Sequence, residues 1–263
     1  MLETTVDDIT GEVLGGLIEA LLRELHSIPE VRRGEAVVMV ENVKPSLVTE
    51  EVAEVMGRYL RGTPIYIGLE TGDPEFHQAL GRPSTVEECL RAVKLFAEHG
   101  LRPYVYLLHG LPGEKDEHLE RTAELIPLLK KLGVERIVLY RFRPLPMTAF
   151  EKAPPPPPAV SRRAAKRLYE EVRRFNEEQK RVFIGRVFRS ALVSVYRRRF
   201  LVAYPLAHGP TTLVRGPRSL IGCLADVEVT EVISDRLVEG RVLKVVKCID
   251  RRRAPGAEHK YGY

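Results

Sequence analysis

The sequence predicts two folded parts: an α/β part with parallel strands, in the form of an incomplete TIM-type barrel, and then a small all-β barrel of the OB type. Four short β-branched or aromatic runs alternate with helical patterns over residues 1–152. A run of consecutive prolines then interrupts this alternation. From Val182 onward, some five short β-rich pieces follow within about 70 residues, with glycines marking their corners.

The first part takes its fold class from its strands. The strand candidates are AVVMVENV (36–43), PIYIGLE (64–70), YVYLLHG (104–110) and ERIVLYRF (135–142). Nearly continuous apolar strands that alternate with helices are typical of a parallel sheet with helices on its outside, either doubly wound or part of a barrel. A complete eight-stranded barrel needs about 250 residues for itself, so the sequence predicts a partial barrel at most.

The boundary between the two parts is the proline run APPPPPA at residues 153–159. Consecutive prolines lack N–H groups and favour a stiff polyproline II spacer. The pattern of residues 160–181 predicts a basic amphipathic helix after the spacer. The predicted organisation is an α/β domain, a spacer with a linker helix, a small barrel and a disordered tail, with the bounds 1–152, 153–181, 182–248 and 249–263.

Charge is divided unevenly along the chain. Residues 160–263 contain 23 Lys+Arg against 11 Asp+Glu, whereas residues 1–159 contain 18 against 25. The C-terminal part is therefore expected to bind a polyanion, and basic residues beside the rings of Tyr196 and Phe200 favour RNA. A solvated charge run is the alternative interpretation. The candidate RNA-binding residues are Arg197, Arg198, Arg199, Arg215 and Arg218.

Composition limits the class of protein. No apolar run approaches the roughly 20 residues of a membrane helix, and the acidic start has no secretory signal pattern. We therefore expect a cytoplasmic protein without a membrane partner. Few amides and abundant Arg and Glu are typical of adaptation to heat. The three cysteines are far apart and odd in number, which predicts reduced, packed side chains and no metal cluster.

Several segments resemble the radical S-adenosylmethionine (SAM) enzymes, particularly the tRNA methylthiotransferase branch and its archaeal relatives. The segment 66–114, which ends in GLPGE, resembles their fourth through fifth strands. VENVKPSLVTEEVAEVM resembles the third strand and its helix, and YRFRPLPMTAFEK resembles the end of the sixth strand. Residues 180–247 are similar to the TRAM domain, an OB-like RNA-binding barrel that these methylthiotransferases carry.

The resemblance implies SAM as a cofactor. Positions that match Glu41 and Glu70 contact the ribose and amino end of SAM in such enzymes, and a basic residue that matches Arg82 contacts its carboxylate. Gly110 and Gly113 would let the backbone approach the adenine closely. The alternative interpretation is ordinary surface or helix-capping charges and a plain turn between strand and helix.

The chain departs from the family in one respect, because it contains no CxxxCxxC. Reductive cleavage of SAM needs a [4Fe–4S] cluster held by three thiolates. The family carries this motif after its first strand, and the segment 1–12 resembles the end of the second, so the cluster loop is expected upstream of Met1. A longer gene product, a separate polypeptide or a degenerate domain would each explain this.

The resemblance implies that the chain is a radical SAM-type protein that modifies RNA, in particular tRNA. It also implies that this chain does not itself ligate the cluster. The alternative is a non-catalytic RNA-binding protein with a degenerate radical SAM domain. The run at 36–43 would form a sheet edge, so we expect either aggregation or a partner that covers it. The polypeptide that supplies the cluster-binding segment is the candidate partner.

Overall fold

The computed structural model describes residues 11–197 and 199–248. The chain divides into two compact units, with the boundary between Gln179 and Lys180. The start of the barrel that the sequence predicts, residue 182, stays a prediction. Arg198 and the predicted tail at 249–263 lie outside the described residues. No helix among the described residues is both long and apolar enough to cross a membrane.

The first unit is a four-stranded parallel sheet, ordered β1-β2-β3-β4, with helices between its strands. This confirms the predicted partial α/β barrel with parallel strands. In chain order its elements are α1 (Gly11–Ser27), α2 (Pro29–Arg32), β1 (Asn42–Val43), α3 (Glu50–Leu60), β2 (Pro64–Glu70), α4 (Pro74–Ala79), α5 (Val86–Glu98), β3 (Arg102–His109), α6 (Asp116–Lys131), β4 (Arg136–Arg141) and α7 (Arg163–Arg181).

The two faces of this sheet have different environments. In β2, Ile65 and Ile67 are fully buried in the core formed with the helices, while Tyr66 and Gly68 on the opposite face are half-buried. The register pairs Tyr66 with Tyr104 and Gly68 with Tyr106. Partners in a parallel ladder point to the same side, so this second face presents tyrosines and leads to Glu70 at the end of β2.

The strand predicted over residues 36–43 is wrong for most of its length, since only Asn42 and Val43 form β1. The register pairs Asn42 with Tyr66, and β2 begins only two residues earlier, at Pro64. Residue 40 therefore lies opposite Pro64, which has no N–H to donate, and residues 36–39 extend past the start of β2. The run has high β-propensity, but among the described residues it has no neighbouring strand to pair with.

Helix α7 belongs to the packed core of the first unit. Its buried side chains face that core; they are Ala164, Ala165, Leu168, Val172 and Phe175. Buried Asn176 accepts a hydrogen bond from Ile137 N–H at 3.0 Å and donates one to Ile137 O at 2.7 Å. Gln179 donates to Val134 O at 3.2 Å. The helix that the sequence suggested as a linker thus covers the outer edge of β4.

The second unit is a closed five-stranded barrel in which β5 pairs with both β6 and β8. Its strands are β5 (Val187–Tyr196), β6 (Phe200–Pro205), β7 (Thr212–Val214), β8 (Cys223–Val232) and β9 (Val238–Cys248). The β7–β9 pair is parallel and the other pairs are antiparallel. Its core includes Leu192, Leu201 and Val227, all about 1% exposed. The predicted small β-barrel is confirmed.

The prediction of reduced cysteines is wrong for two of the three. Cys223 and Cys248 lie opposite each other in the β8–β9 register and form a disulfide bond. They are 25 residues apart in sequence, but the antiparallel pair of strands brings its two ends together. Only Cys89 is a free thiol, and it is buried.

This pairing leads to a first testable prediction. Denatured without reductant, the chain should show one titratable thiol with Ellman's reagent, and after reduction it should show three. The folded, unreduced chain should react far more slowly, because the one free thiol is buried. Three thiols in the unreduced, denatured chain would contradict the disulfide.

Candidate functional site

Glu70 and Arg82 form an ion pair at the carboxyl end of β2, where ligand sites of parallel α/β folds lie. Arg82 Nη2 lies 3.2 Å from Glu70 Oε1 and 3.4 Å from the carbonyl oxygen of Gly68. A Cβ added at Gly68 would lie 2.9 Å from Glu70 Oε1 and 3.1 Å from Arg82 Nη2. The absence of a side chain at Gly68 therefore makes the space in which this pair sits. The structure thus brings together two residues that the resemblance assigns to the amino and carboxylate groups of the same ligand.

The pair is partly shielded from water. The Glu70 side chain is 16% exposed and the Arg82 side chain 36%. Burial raises the pKa of the Glu70 carboxyl above its usual value, and the positive charge of Arg82 opposes this shift. A half-buried carboxylate beside a guanidinium matches a zwitterion, because the carboxylate can accept from an ammonium while the guanidinium donates to a carboxylate.

The backbone at Glu70 is left-handed, with φ of 63°, which is unusual for a residue other than glycine. The next turn is fixed from helix α6. Thr122 Oγ1 accepts a hydrogen bond from Gly72 N–H at 2.8 Å and lies 3.2 Å from Thr71 Oγ1. Thr71 N–H donates to Leu69 O at 2.7 Å. These contacts hold Glu70 in a conformation that costs about 1–3 kcal/mol, a cost that the surrounding structure must offset.

Asp73 anchors the segment after this turn. The sequence analysis did not identify Asp73, although an Asp-Pro pair commonly starts a helix. Asp73 Oδ1 caps α4 by accepting from Phe76 N–H at 2.8 Å, and Oδ2 lies 2.8 Å from Arg121 Nη1. These hydrogen bonds and Arg121 lower the pKa of Asp73, although burial opposes them. Buried His77 follows, and its Nε2 has no hydrogen-bond partner in the described structure. Burial lowers the pKa of His77, which favours a neutral ring.

Glu41 lies beside the tyrosine face of the sheet. Its carbonyl oxygen accepts from Tyr66 N–H at 2.9 Å. Burial is the main reason that the pKa values of Tyr66 and Tyr106 are raised, the latter to about 12, and the charge of Glu41 adds to both shifts. Glu41 is thus close enough to both phenols to act on them electrostatically.

The GLPGE loop follows β3, and both of its glycines are left-handed with φ of 79°. A Cβ at Gly110 would lie 2.4 Å from Pro156, so the proline run occupies the space beside it. A Cβ at Gly113 would meet only Phe76, at 3.9 Å. The Glu114 carboxylate, 3% exposed, accepts from Gly110 N–H at 2.9 Å and from Arg162 at 3.0 Å. The loop is thereby tied to the chain segment that follows the prolines.

The barrel brings two of the predicted arginines onto aromatic rings. The Arg197 guanidinium lies 5.3 Å from the ring centre of Tyr196, and that of Arg215 lies 5.0 Å from the ring centre of Phe200. Tyr196 and Phe200 are paired in the β5–β6 register. The two arginines therefore flank one aromatic pair. The sequence predicted basic residues beside these rings, but not that the rings are paired or that Arg215 lies over Phe200. Arg199 lies in the exposed turn of the same hairpin, and Arg218 is exposed in a 3-10 turn after β7.

The cysteines do not fit a [4Fe–4S] cluster. Burial raises the pKa of the Cys89 thiol to about 12, and the other two cysteines are joined in the barrel. Within residues 11–197 and 199–248, no group of three or more His, Cys, Asp or Glu side chains is placed to hold a metal ion. The three thiolates that such a cluster needs are therefore not supplied by the described part of the chain.

Comparison with known proteins identifies a matching family model and several relatives of this chain. Residues 10–126 match the family model described as the radical SAM superfamily. An uncharacterised protein of Methanopyrus kandleri is 39% identical over 235 residues, which are 89% of this chain and 44% of that protein. The threonylcarbamoyladenosine tRNA methylthiotransferase MtaB of Thermotoga maritima is 26% identical over 141 residues, which are 52% of this chain and 31% of the enzyme.

Among solved structures, coproporphyrinogen III oxidase from Escherichia coli superposes with a TM-score of 0.47 at 12% identity, covering 85% of this chain and 52% of the oxidase. The chain spans about half the length of the archaeal relatives that it matches over most of its residues.

Proposed function

Since residues 10–126 make this chain a member of the radical SAM superfamily, we propose that it is the SAM-binding and RNA-binding part of an enzyme that modifies tRNA. The observation that carries the proposal is the Glu70–Arg82 pair over Gly68. It lies at the carboxyl end of a parallel strand, within the residues that match the family.

The residues at this end of the sheet fit SAM. Glu70 would accept from its ammonium group, Arg82 would hold its carboxylate, and Glu41 would accept from the ribose hydroxyls. A Cβ at Gly113 would meet only Phe76, so the adenine could approach the backbone closely there, whereas Pro156 stands beside Gly110. SAM supplies a sulfonium group whose reductive cleavage starts radical chemistry. In this proposal the residues of this chain bind and orient SAM, and a cluster-binding segment outside the described residues supplies the thiolates.

The barrel is proposed to be an OB-type module of the TRAM kind that binds tRNA. Its closed five-stranded form fits this class. The excess of Lys and Arg over residues 160–263 provides contacts for phosphates. The Tyr196–Phe200 pair, flanked by two arginines, offers a platform for unstacked bases. The similarity of the chain to a tRNA methylthiotransferase supports tRNA as the substrate class.

We place the protein in the cytoplasm of a heat-adapted cell. Disulfides are rare in the cytosol, but intracellular proteins of hyperthermophiles are an exception. The Cys223–Cys248 bond and the low content of amides are both compatible with that setting.

Equilibrium dialysis with radiolabelled SAM tests the proposed site. Glu70→Gln keeps the shape of the side chain and removes its charge, so SAM should bind at least about tenfold more weakly, as expected for a lost hydrogen bond between charged groups. Binding to the unaltered chain should also weaken as the pH falls through the raised pKa of Glu70, because the protonated carboxyl no longer pairs with an ammonium.

Glu75→Gln is the matched control, because Glu75 is exposed on α4 and lies near the same turn. It should leave SAM affinity unchanged. Equal losses in both variants, or none in Glu70→Gln, would refute the assignment. Binding of tRNA without any binding of SAM would favour the second candidate, a non-catalytic RNA-binding protein, which the unsuitable cysteines also favour.

A further inference from the structure

The segment between β4 and the proline run forms a compact loop with apolar side chains at its tip. The rings of Phe142 and Phe150 pack edge to face with their centres 6.0 Å apart, and they close the base of the loop. Between them, Met147 is 96% exposed and Leu145 is 61% exposed. We refer to Leu145 and Met147 as the apolar tip. Single exposed apolar residues are common on protein surfaces, but this pair is held in a defined conformation.

Hydrogen bonds and backbone geometry fix the apolar tip. Met147 has a left-handed backbone with φ of 63°, which is unusual for a residue other than glycine. Its N–H donates to Glu151 Oε2 at 3.1 Å, and Thr148 Oγ1 donates to Leu145 O at 2.8 Å. The two residues that flank Leu145 are prolines, whose rings lock φ. Strained residues of this kind cluster at functional sites, where the surrounding structure holds them in place.

The loop lies at the edge of the sheet where the Glu70–Arg82 pair lies. It follows directly after β4, and Phe142 N–H donates to the carbonyl oxygen of His109, the last residue of β3, at 2.9 Å. The carboxyl ends of neighbouring parallel strands lie at one edge of a sheet. The apolar tip therefore projects from the edge that carries the proposed SAM site.

The loop is basic, although the unit that carries it is acidic. Residues 1–140 contain 15 Lys+Arg against 24 Asp+Glu, whereas residues 141–152 contain three against one. The three cations, Arg141, Arg143 and Lys152, are all exposed. Cations around an apolar tip complement a partner that combines negative charge with flat apolar faces. Unpaired nucleotides of an RNA loop have both properties, because their phosphates are anionic and their bases are free to stack.

We propose that the apolar tip inserts against an unstacked base of tRNA while the cations of the loop contact the neighbouring phosphates. Enzymes that act on a base take it out of its stack, which leaves a gap beside its neighbours. Leu and Met side chains act as wedges between base steps in other complexes of proteins with nucleic acids. The inference rests on the proposed function, because it gives the first unit a contact with the RNA that the barrel is proposed to bind.

The double variant Leu145→Ser/Met147→Gly of the full chain, the tip variant, tests this contact by fluorescence anisotropy with labelled tRNA. Its affinity for tRNA should fall by about tenfold or more, because both apolar contacts are lost. The slope of log affinity against log KCl should stay unchanged, since no phosphate contact is removed. Glycine adopts a left-handed backbone without strain, so the thermal unfolding temperature of the tip variant should not fall.

Three comparisons give this result its meaning. The control Leu17→Gln/Leu128→Gln replaces leucines of α1 and α6 that are 60% and 39% exposed, and it should leave tRNA affinity unchanged. The variant Arg141→Gln/Arg143→Gln should instead make the salt dependence of binding shallower. A blunt RNA duplex has no unpaired base, so it should bind equally to the unaltered chain and to the tip variant.

Unchanged tRNA affinity in the tip variant, or an equal loss of affinity for the duplex, would overturn the inference and leave the proposed function in place. A dimer of the chain alone in light scattering, dissolved by the tip variant, would assign the tip to a second copy and also overturn the inference. Absence of tRNA binding by the unaltered chain would overturn the proposed binding of tRNA, and this inference with it.

Discussion

Charge reversal at the hairpin of the barrel, in the triple variant Arg197→Glu/Arg199→Glu/Arg215→Glu, is expected to weaken tRNA binding by about 100-fold or more. Two of these guanidiniums lie within 5.3 Å of the Tyr196 and Phe200 ring centres. Each reversal removes a phosphate contact and introduces repulsion, and the flanked rings lose part of their attraction for bases. Fluorescence anisotropy of labelled tRNA at fixed KCl measures the effect, and the salt dependence of binding should become shallower in the variant.

The control for this variant reverses the same number of charges in the first unit, as Arg23→Glu/Arg91→Glu/Lys94→Glu. All three side chains are exposed, and both variants have the same net charge. If the barrel surface binds tRNA, the control should lose far less affinity than the barrel variant. Equal losses would mean that net charge alone attracts tRNA, and the assignment of the hairpin would then be wrong.

Asn176→Ala is expected to lower the free energy of unfolding of the first unit by about 2–5 kcal/mol. The substitution leaves the N–H and C=O of Ile137 without their partners in a buried position, and each such group costs about 1–3 kcal/mol. Urea unfolding followed by circular dichroism measures the change in midpoint.

Asn42→Ala serves as the control because Asn42, the only other asparagine, is exposed in β1. It should change the free energy of unfolding by no more than about 0.5 kcal/mol. A loss of similar size in both variants, or a negligible loss in Asn176→Ala, would show that α7 does not stabilise the β4 edge in this way.

The strands that could be predicted are those whose burial pattern is evident from the local sequence. The bounds predicted for β2, 64–70, are those that the structure shows, because alternating buried and half-buried residues there match the period of a strand. The run 36–40 is also rich in residues with high β-propensity, but among the described residues no neighbouring strand pairs with it. Propensity is a property of the segment, whereas pairing depends on another part of the chain.

Helix α7 shows how abundant charge can obscure a packed helix. Its many Arg, Lys and Glu residues suggested a linker, although Ala164, Leu168, Val172 and Phe175 recur at helical spacing and are all buried. That spacing was the available signal. The Cys223–Cys248 bond had no such signal, since it depends on the register of two strands.

The candidate site was predictable in part. Glu70 and Arg82 were identified through a resemblance, and the structure places their charged groups 3.2 Å apart. Thr122, which fixes the turn after Glu70, lies about 50 residues away on a helix that carries no motif for it. Pro156 beside Gly110 likewise follows only from how the chain folds back. Contacts between distant segments are absent from local patterns, so these residues could not be predicted.

Whether the Glu70–Arg82 pair holds the amino-acid end of SAM is tested most directly by comparing the binding of two ligands to Arg82→Met. 5′-Methylthioadenosine keeps the adenosine part of SAM and lacks the carboxylate that Arg82 is proposed to hold. Arg82→Met should weaken SAM binding by about tenfold or more and leave methylthioadenosine binding unchanged. Arg91→Met, at an exposed position on α5, should change neither. Equal weakening of both ligands, or unchanged SAM binding in Arg82→Met, would contradict this assignment.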